Sequence, residues 1–226
     1  MPEALLFAGP SACGVDPALF AAAGVRLLPP VRRGDVDRIV RCQGEPGVLV
    51  VCDGVFQVAP AVSHAELCAA LDAGWQVWGV SSLGAIRAHE LRAEGMRGFG
   101  HVYEQFARFD DFTDDEMCLA HYPEAPWFSL SEPLVNLRHA LERQGPALGI
   151  SEEAAATCIE QLRGLWFGDR TLERMRTTMI EIAAIPQARA DALLQWLTRN
   201  RVKTTDLENL LTQRPWRSPA AATRTP

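Results

Sequence analysis

Lysine is almost absent from this sequence: among its 22 Lys and Arg residues, Lys203 is the single lysine. Arginine presents a planar fork suited to carboxylates and phosphates, but codon bias explains the skew equally well, so it assigns no function. No basic stripe stands out and the net charge is −6, which argues against a duplex-DNA surface. The six cysteines, Cys13, Cys42, Cys52, Cys68, Cys118 and Cys158, show no CxxC or zinc-type spacing. No run approaches the ~18 apolar residues of a membrane span. Ala4–Ala8 is too short for a secretory signal and has no basic flank. These absences together predict a cytoplasmic protein with reduced thiols, engaging neither membrane nor nucleic acid. No internal repeat is visible.

Phosphate-binding signatures are incomplete as well. Gly9-Pro-Ser-Ala-Cys-Gly14 has the glycine spacing of a P-loop, but Val15-Asp16 stands where the phosphate-neutralising Lys and its Ser/Thr belong. No GxGxxG follows the first strand, which weakens a small-molecule binder of the Rossmann type.

What is present is an alternating pattern. Ala4–Ala8, Val25–Leu28, Val48–Cys52 and Gln76–Val80 read as buried strands, and helical stretches separate them. Asp16 can cap the first helix, with Pro17 at its first position and Gly24 past its end. Asp35 can cap the second, Ser63 the third, and Leu83–Ala93 forms the fourth. At 226 residues the chain can bury one α/β domain with an appendage. The prediction is a Rossmann-like parallel sheet of about four strands over 1–122, then a helical portion over 123–216. Residues 217–226 are expected to be a disordered tail. No clear fifth strand emerges between Gly95 and Tyr122. In the helical portion, Ser131, Ser151 and Thr171 are expected helix starts, and Thr205-Asp-Leu-Glu208 reads as a capping box before a short last helix.

In an open parallel sheet, ligands bind beyond the carboxyl ends of the strands. Ser11 follows the first strand, and Cys13 is there as either a thiol near a helix start or a turn filler. Pro29-Pro30 fixes the loop presenting Arg32 and Arg33; these suit an anionic ligand, or form a solvated pair beside Asp35 and Asp37. Asp53 lies one residue past the third strand, and His64 and Glu66 open the next helix. Ser81, Ser82 and Gly84 shape a turn whose helix-start amides can hold an oxyanion, with Arg87 and Glu90 on one face behind it. The alternative is a serine cap and a surface ion pair. Asp110-Asp111 and Asp114-Asp115-Glu116 could suggest Mg²⁺, but Thr113-Asp-Asp-Glu116 itself reads as a capping box. No spaced ligand set is present, so no metal and no cofactor is expected.

Several ordered segments resemble the TfuA-like family. They are GPS (9–11), PPVRRGD (29–35), DGVFQVAPAVSHAEL (53–67), GVSSLGAIRAHEL (79–91), GMRGFG (95–100) and the DDE segment followed by His121. The resemblance covers roughly residues 4–140. It implies an accessory protein for peptide-backbone thioamidation that works with a YcaO-type ATP-dependent enzyme. Such a protein hydrolyses a thiocarboxylated ThiS-like carrier, releases sulfide and helps the partner engage a precursor peptide. Carried over by motif position, the implied residues are Ser11, Arg32, Arg33, Asp35, Asp53, His64, Glu66, Ser82, Gly84, Arg87 and Glu90. Asp53 or His64 would be the general base, helix-start amides near Ser82 with one Arg would stabilise the oxyanion or thiolate, and Arg32, Arg33 and Arg87 would suit the anionic tail. Ser63 departs from an expected aromatic and Leu83 from an expected Met. No cysteine belongs to the motif, which argues against a persulfide relay. The alternative is a non-catalytic protein that binds the YcaO enzyme or the precursor peptide.

Overall fold

The computed structural model describes residues 4–55, 59–109 and 112–218. Five strands, β1 (Ala4–Phe7), β2 (Val25–Leu28), β3 (Val48–Val51), β4 (Gln76–Val80) and β5 (Arg97–Phe99), form one sheet. Its order is β2-β1-β3-β4-β5 and every pairing is parallel. The four expected strands are present, and β5 joins them as a short edge. Sheet order reverses between β1 and β3, so the crevice beyond these two strands is the topological switch point.

Helices α1 (Pro17–Ala23), α2 (Asp35–Cys42), α3 (His64–Asp72), α4 (Leu83–Glu90) and α5 (His101–Arg108) follow the strands in turn. The continuing chain forms α6 (Leu134–Gln144), α7 (Glu152–Arg163), α8 (Leu172–Thr177), a π-turn over Thr178–Ile182, α9 (Gln187–Arg199) and α10 (Val202–Gln213). Two units result: residues 1–110 with 203–226, and residues 111–202. Helix α10 therefore belongs with the sheet and not with the helices that precede it.

The reason lies in the pleat. Alternate residues of a strand face opposite sides. Leu6, Ala8, Val50, Cys52, Trp78 and Val80 share one buried cluster with Leu207, Leu210, Leu211 and Trp216. On the other side, α4 lies so close that a Cβ on Gly79 would fall 1.9 Å from Gly84 O, and one on Gly84 would fall 1.8 Å from Val51 O. Only glycine fits at either position. Helix α10 starts at Val202, so Thr205 and Asp206 lie inside it, not at its cap. Asp206 instead accepts from the His101 and Val102 amides at 2.9 and 2.8 Å, tying α10 to the start of α5.

The helical unit has its own core, including Leu134, Leu137, Leu162, Met175, Met179, Leu193 and Leu197. Ser151 and Thr171 cap their helices through Ala154 N and Arg174 N. Ser131 does not: α6 is capped at Pro133, and Ser131 Oγ accepts from Ala120 N at 2.8 Å. Of the expected tail, Arg217 closes a 3-10 turn and donates to Ala23 O at 3.3 Å; residues 219–226 lie outside the described residues. No described helix is long and apolar enough to cross a membrane.

Candidate functional site

The expected site residues fall into two groups, both in the sheet unit. The first lies at the switch point. Asp53, 3% exposed, turns its carboxylate toward the loop after β1. Its Oδ2 accepts from Gly9 N at 2.8 Å and Ser11 N at 2.9 Å, and its Oδ1 accepts from Ser11 Oγ at 2.8 Å. Asp53 thus ties two strand-end loops together, and Ser11 is its partner in that tie.

At the next strand end, the β4–α4 turn holds Ser81 at φ 63, a strained region for a non-glycine residue. The turn is held by burial and by Ser81 Oγ donating to Lys203 O at 2.7 Å. Ser82 precedes α4 without a side-chain capping bond, and it is 5% exposed. Gly84 N donates to Cys52 O at 3.1 Å, so Gly84 acts here as a packing residue. Cys52 is wholly buried; burial pushes its thiol well up, and the neighbouring Asp53 adds to this against opposing contributions from Ser81, Lys203 and Ser11. A thiol so raised is a poor nucleophile. Burial likewise pushes Cys158 up to about 12. Cys13 merely closes the 3-10 turn after β1, its amide donating to Pro10 O.

The second group is a continuous belt of hydrogen bonds across three loops. Arg33 N donates to Pro60 O at 3.1 Å, and Arg33 Nε to Ala61 O at 3.4 Å. Gly34 N donates to Glu66 Oε2 at 2.6 Å. Glu66 also closes the capping box with Ser63; it is 4% exposed and holds the α3 start against the Arg loop. From that start, His64 Nε2 meets Glu90 Oε2 at 2.8 Å. Arg87 Nη1 donates to the same Oε2 at 2.5 Å, and Arg87 Nε donates to Val62 O at 3.3 Å. Burial pushes the Glu90 carboxyl up, yet hydrogen bonds and charge from Arg87 and His64 outweigh it and bring it below its ordinary value.

Availability differs within this belt. Arg32 and Arg33 are exposed, and the His64 side chain is 52% exposed. Asp35 is committed locally: its Oδ2 accepts from Arg32 N at 2.9 Å, and Arg38 reaches its Oδ1 at 3.2 Å. Gly34 is the residue before α2, so Asp35 sits in the first turn and not at the cap. The two groups meet through the backbone: Val31 N, on the loop that carries Arg32 and Arg33, donates to Asp53 O at 2.9 Å. The belt therefore combines an exposed imidazole held by a carboxylate, an arginine fixing that carboxylate, and the exposed guanidiniums of Arg32 and Arg33, the latter donating through Nε to Ala61 O. Such a set can bind an anionic chain and move one proton beside it.

The acidic segment is structural, although not as a capping box. Thr113 makes no side-chain cap bond. Asp115 pairs with Arg170, which is wholly buried and also donates to the carbonyls of Asp115, Leu162, Arg163 and Leu165. Buried Glu116 takes Arg138 at 2.9 and 2.6 Å and Arg163 at 3.2 Å. Arginines hold these two carboxylates. Asp110 and Asp111 lie outside the described residues. Lys203 was not anticipated at the switch point. It is 3% exposed and arrives there only because α10 returns to the sheet; its standing as the single lysine is the one sequence signal that marks it.

A family profile described as TfuA-like protein matches residues 53–171, just over half of the 226 residues. No curated protein matches the chain. The matched span includes Asp53, the belt residues from Pro60 to Glu90, and the acidic segment with its Arg170 partner.

Proposed function

Because the chain belongs to the TfuA-like family, we propose that it is an accessory protein of peptide-backbone thioamidation that hydrolyses a thiocarboxylated ThiS-like sulfur carrier. It then supplies sulfide to a YcaO-type ATP-dependent enzyme acting on a precursor peptide. The observation that carries the hydrolytic step is the exposed His64 held by Glu90, itself held by Arg87. A base oriented by a second group is the arrangement general-base catalysis requires.

The carrier ends in an extended, anionic tail. Arg32 and Arg33 stand on a loop pinned to the His64 segment, and they bind that tail without paying to order the loop. His64 takes a proton from water as the water attacks the thiocarboxyl carbon. The tetrahedral intermediate then breaks its C–S bond, and the proton leaves with sulfur. R–CO–S⁻ and water thus become R–COOH and HS⁻, and proton exchange between them gives R–COO⁻ and hydrogen sulfide, with no redox change. Ser82, whose hydroxyl makes no capping bond among the described residues, is a donor at the start of α4 for the developing oxyanion. Asp53, whose oxygens are already committed to the β1 loop, has a positioning role; the base is His64.

The test is sulfide release from the thiocarboxylated carrier with the YcaO-type enzyme left out. His64→Gln should lower the rate by about 10²- to 10⁴-fold while leaving the unfolding midpoint unchanged. Full activity in that variant would remove His64 from the chemistry. No release by the wild-type protein would leave a non-catalytic accessory that binds the YcaO enzyme or the peptide.

A further inference from the structure

In the helical unit the chain turns back on itself between Ala120 and Ser131. Tyr122 N donates to Phe128 O at 3.0 Å, Leu130 N to Ala120 O at 2.7 Å, and Trp127 N to Glu124 O at 2.8 Å. A bridge joins His121 to Ser129, and the Ser131 hydroxyl fastens the base through Ala120 N. The hairpin is therefore held in one shape. It also projects: residues 122–126 and 128–130 are all exposed. Tyr122, Phe128 and Leu130 are 55%, 57% and 52% exposed. Single exposed apolar side chains are ordinary, but three on one rigid projection mark an interaction site.

Charge says what it meets. Residues 109–137 contain no Lys or Arg, in a chain with 22. Asp115, Glu116 and Glu132 are paired to Arg170, to Arg138 and Arg163, and to Arg201 respectively. Asp114 and Glu124 are exposed, and no described cation pairs with either. The hairpin thus carries three exposed apolar side chains on its paired arms and the exposed Glu124 in its turn, with the exposed Asp114 a few residues before it in the chain.

We propose that this hairpin is the knob by which the protein docks into a folded partner presenting an apolar cleft rimmed with Arg or Lys. A peptide needs a groove or a free strand edge, and a projecting hairpin with one bridge pair offers neither. An anionic membrane surface or a nucleic acid would repel the unpaired acids. A second copy joined about a two-fold would bring the same acids face to face. A cleft on a folded protein accommodates aromatic anchors inside and basic groups at the rim. The identity of that partner as the amide-activating YcaO-type enzyme rests on the accessory role proposed above.

The test compares three forms of the full chain: wild type, the Tyr122→Ser/Phe128→Ser/Leu130→Ser triple variant, and the Asp114→Arg/Glu124→Arg double variant. Calorimetry measures affinity for the purified YcaO-type enzyme at low and high salt. Sulfide release without that enzyme, self-association and unfolding midpoints are measured alongside. The triple variant should lose about 30-fold or more in affinity, as aromatic anchors do. The double variant should bind several-fold more weakly at low salt and converge on wild type at high salt. Carrier hydrolysis and midpoints should not move. Wild-type affinity in the triple variant overturns the proposal. So does a wild-type protein that releases sulfide but does not bind the enzyme, or a hairpin whose substitution changes self-association alone. Loss of sulfide release in the wild type strikes the hydrolytic reading and leaves the docking result standing.

Discussion

Asp53 directs both carboxylate oxygens at its own chain, whereas His64 leaves half its ring to solvent. Those two facts separate a positioning residue from a reactive one. Replacing Asp53 by Ala leaves Gly9 N, Ser11 N and Ser11 Oγ buried without their acceptor. Each such orphan costs about 1–3 kcal/mol, so Asp53→Ala should lose roughly 3 kcal/mol or more in a urea titration. A loss below about 1 kcal/mol would show that water replaces the carboxylate and that the tie is dispensable. Residue types at strand ends were legible in the sequence, but their partners were not. Asp53 finds its donors 42 and 44 positions away, and His64 finds Glu90 across 26. Glu66 is implied by the family resemblance; its capping box with Ser63 is local and readable, while its bond to Gly34 is not. Glu90 has the opposite history. Its depressed carboxyl keeps the His64 and Arg87 contacts formed above its ordinary range, and releases them only as pH falls through its lowered value.

Helices are where local signals read best and where tertiary contact overrides them. The α4 start followed from small residues after an apolar run, and the glycines explain why: α4 can seat on β3 and β4 only without a Cβ at Gly79 and Gly84. Strand β5 escaped notice because it has three residues, one of them Gly98 and another the charged Arg97, and its burial is only partial. The apparent cap at Thr205 misled because Asp206 serves another helix. It accepts the first amides of α5 from within α10, and a Cβ on Gly100 would fall 2.5 Å from its carboxyl carbon. Burial pushes the Asp206 carboxyl up from 3.8 to about 7, against the pull of the Val102 and His101 amides and with a push from Glu104. Between those values the folded chain holds a proton that the unfolded chain releases, so stability falls as pH rises across this interval and levels off above it. The slope from one such group is at most about 1.4 kcal/mol per pH unit. Unfolding free energies at pH 4–8 should show this component in the wild type and not in Asp206→Asn. Parallel curves for the two proteins would refute it.

At the scale of the whole molecule, the parallel sheet was legible because β-branched runs alternate with capped helices, a pattern few architectures share. The assignment of the last helix was not legible. Nothing in the sequence of α10 says which core its apolar stripe completes; that is decided by the odd and even faces of strands that lie far earlier in the chain. The structure gives Leu207, Leu210, Leu211 and Trp216 to the sheet, together with the Ser81 bond to Lys203 O and the Asp206 bonds to α5. A chain ending at residue 202 loses all three contributions. Burial of a large apolar side chain is worth about 1.5–3 kcal/mol, so the four apolar residues alone supply roughly 6–12 kcal/mol. That matches the whole stability of an ordinary domain, about 5–15 kcal/mol. Truncation after Val202 should therefore unfold the sheet unit. Amide exchange reads this directly: protection in β1, β3 and β4 should collapse, while α6, α7 and α9, whose core lies within residues 134–197, should keep theirs. Retained protection across β1, β3 and β4 would mean the sheet face closes without α10. Sulfide release by the truncated chain should vanish with the sheet, because the belt that holds His64 is built on the loops that leave its strands.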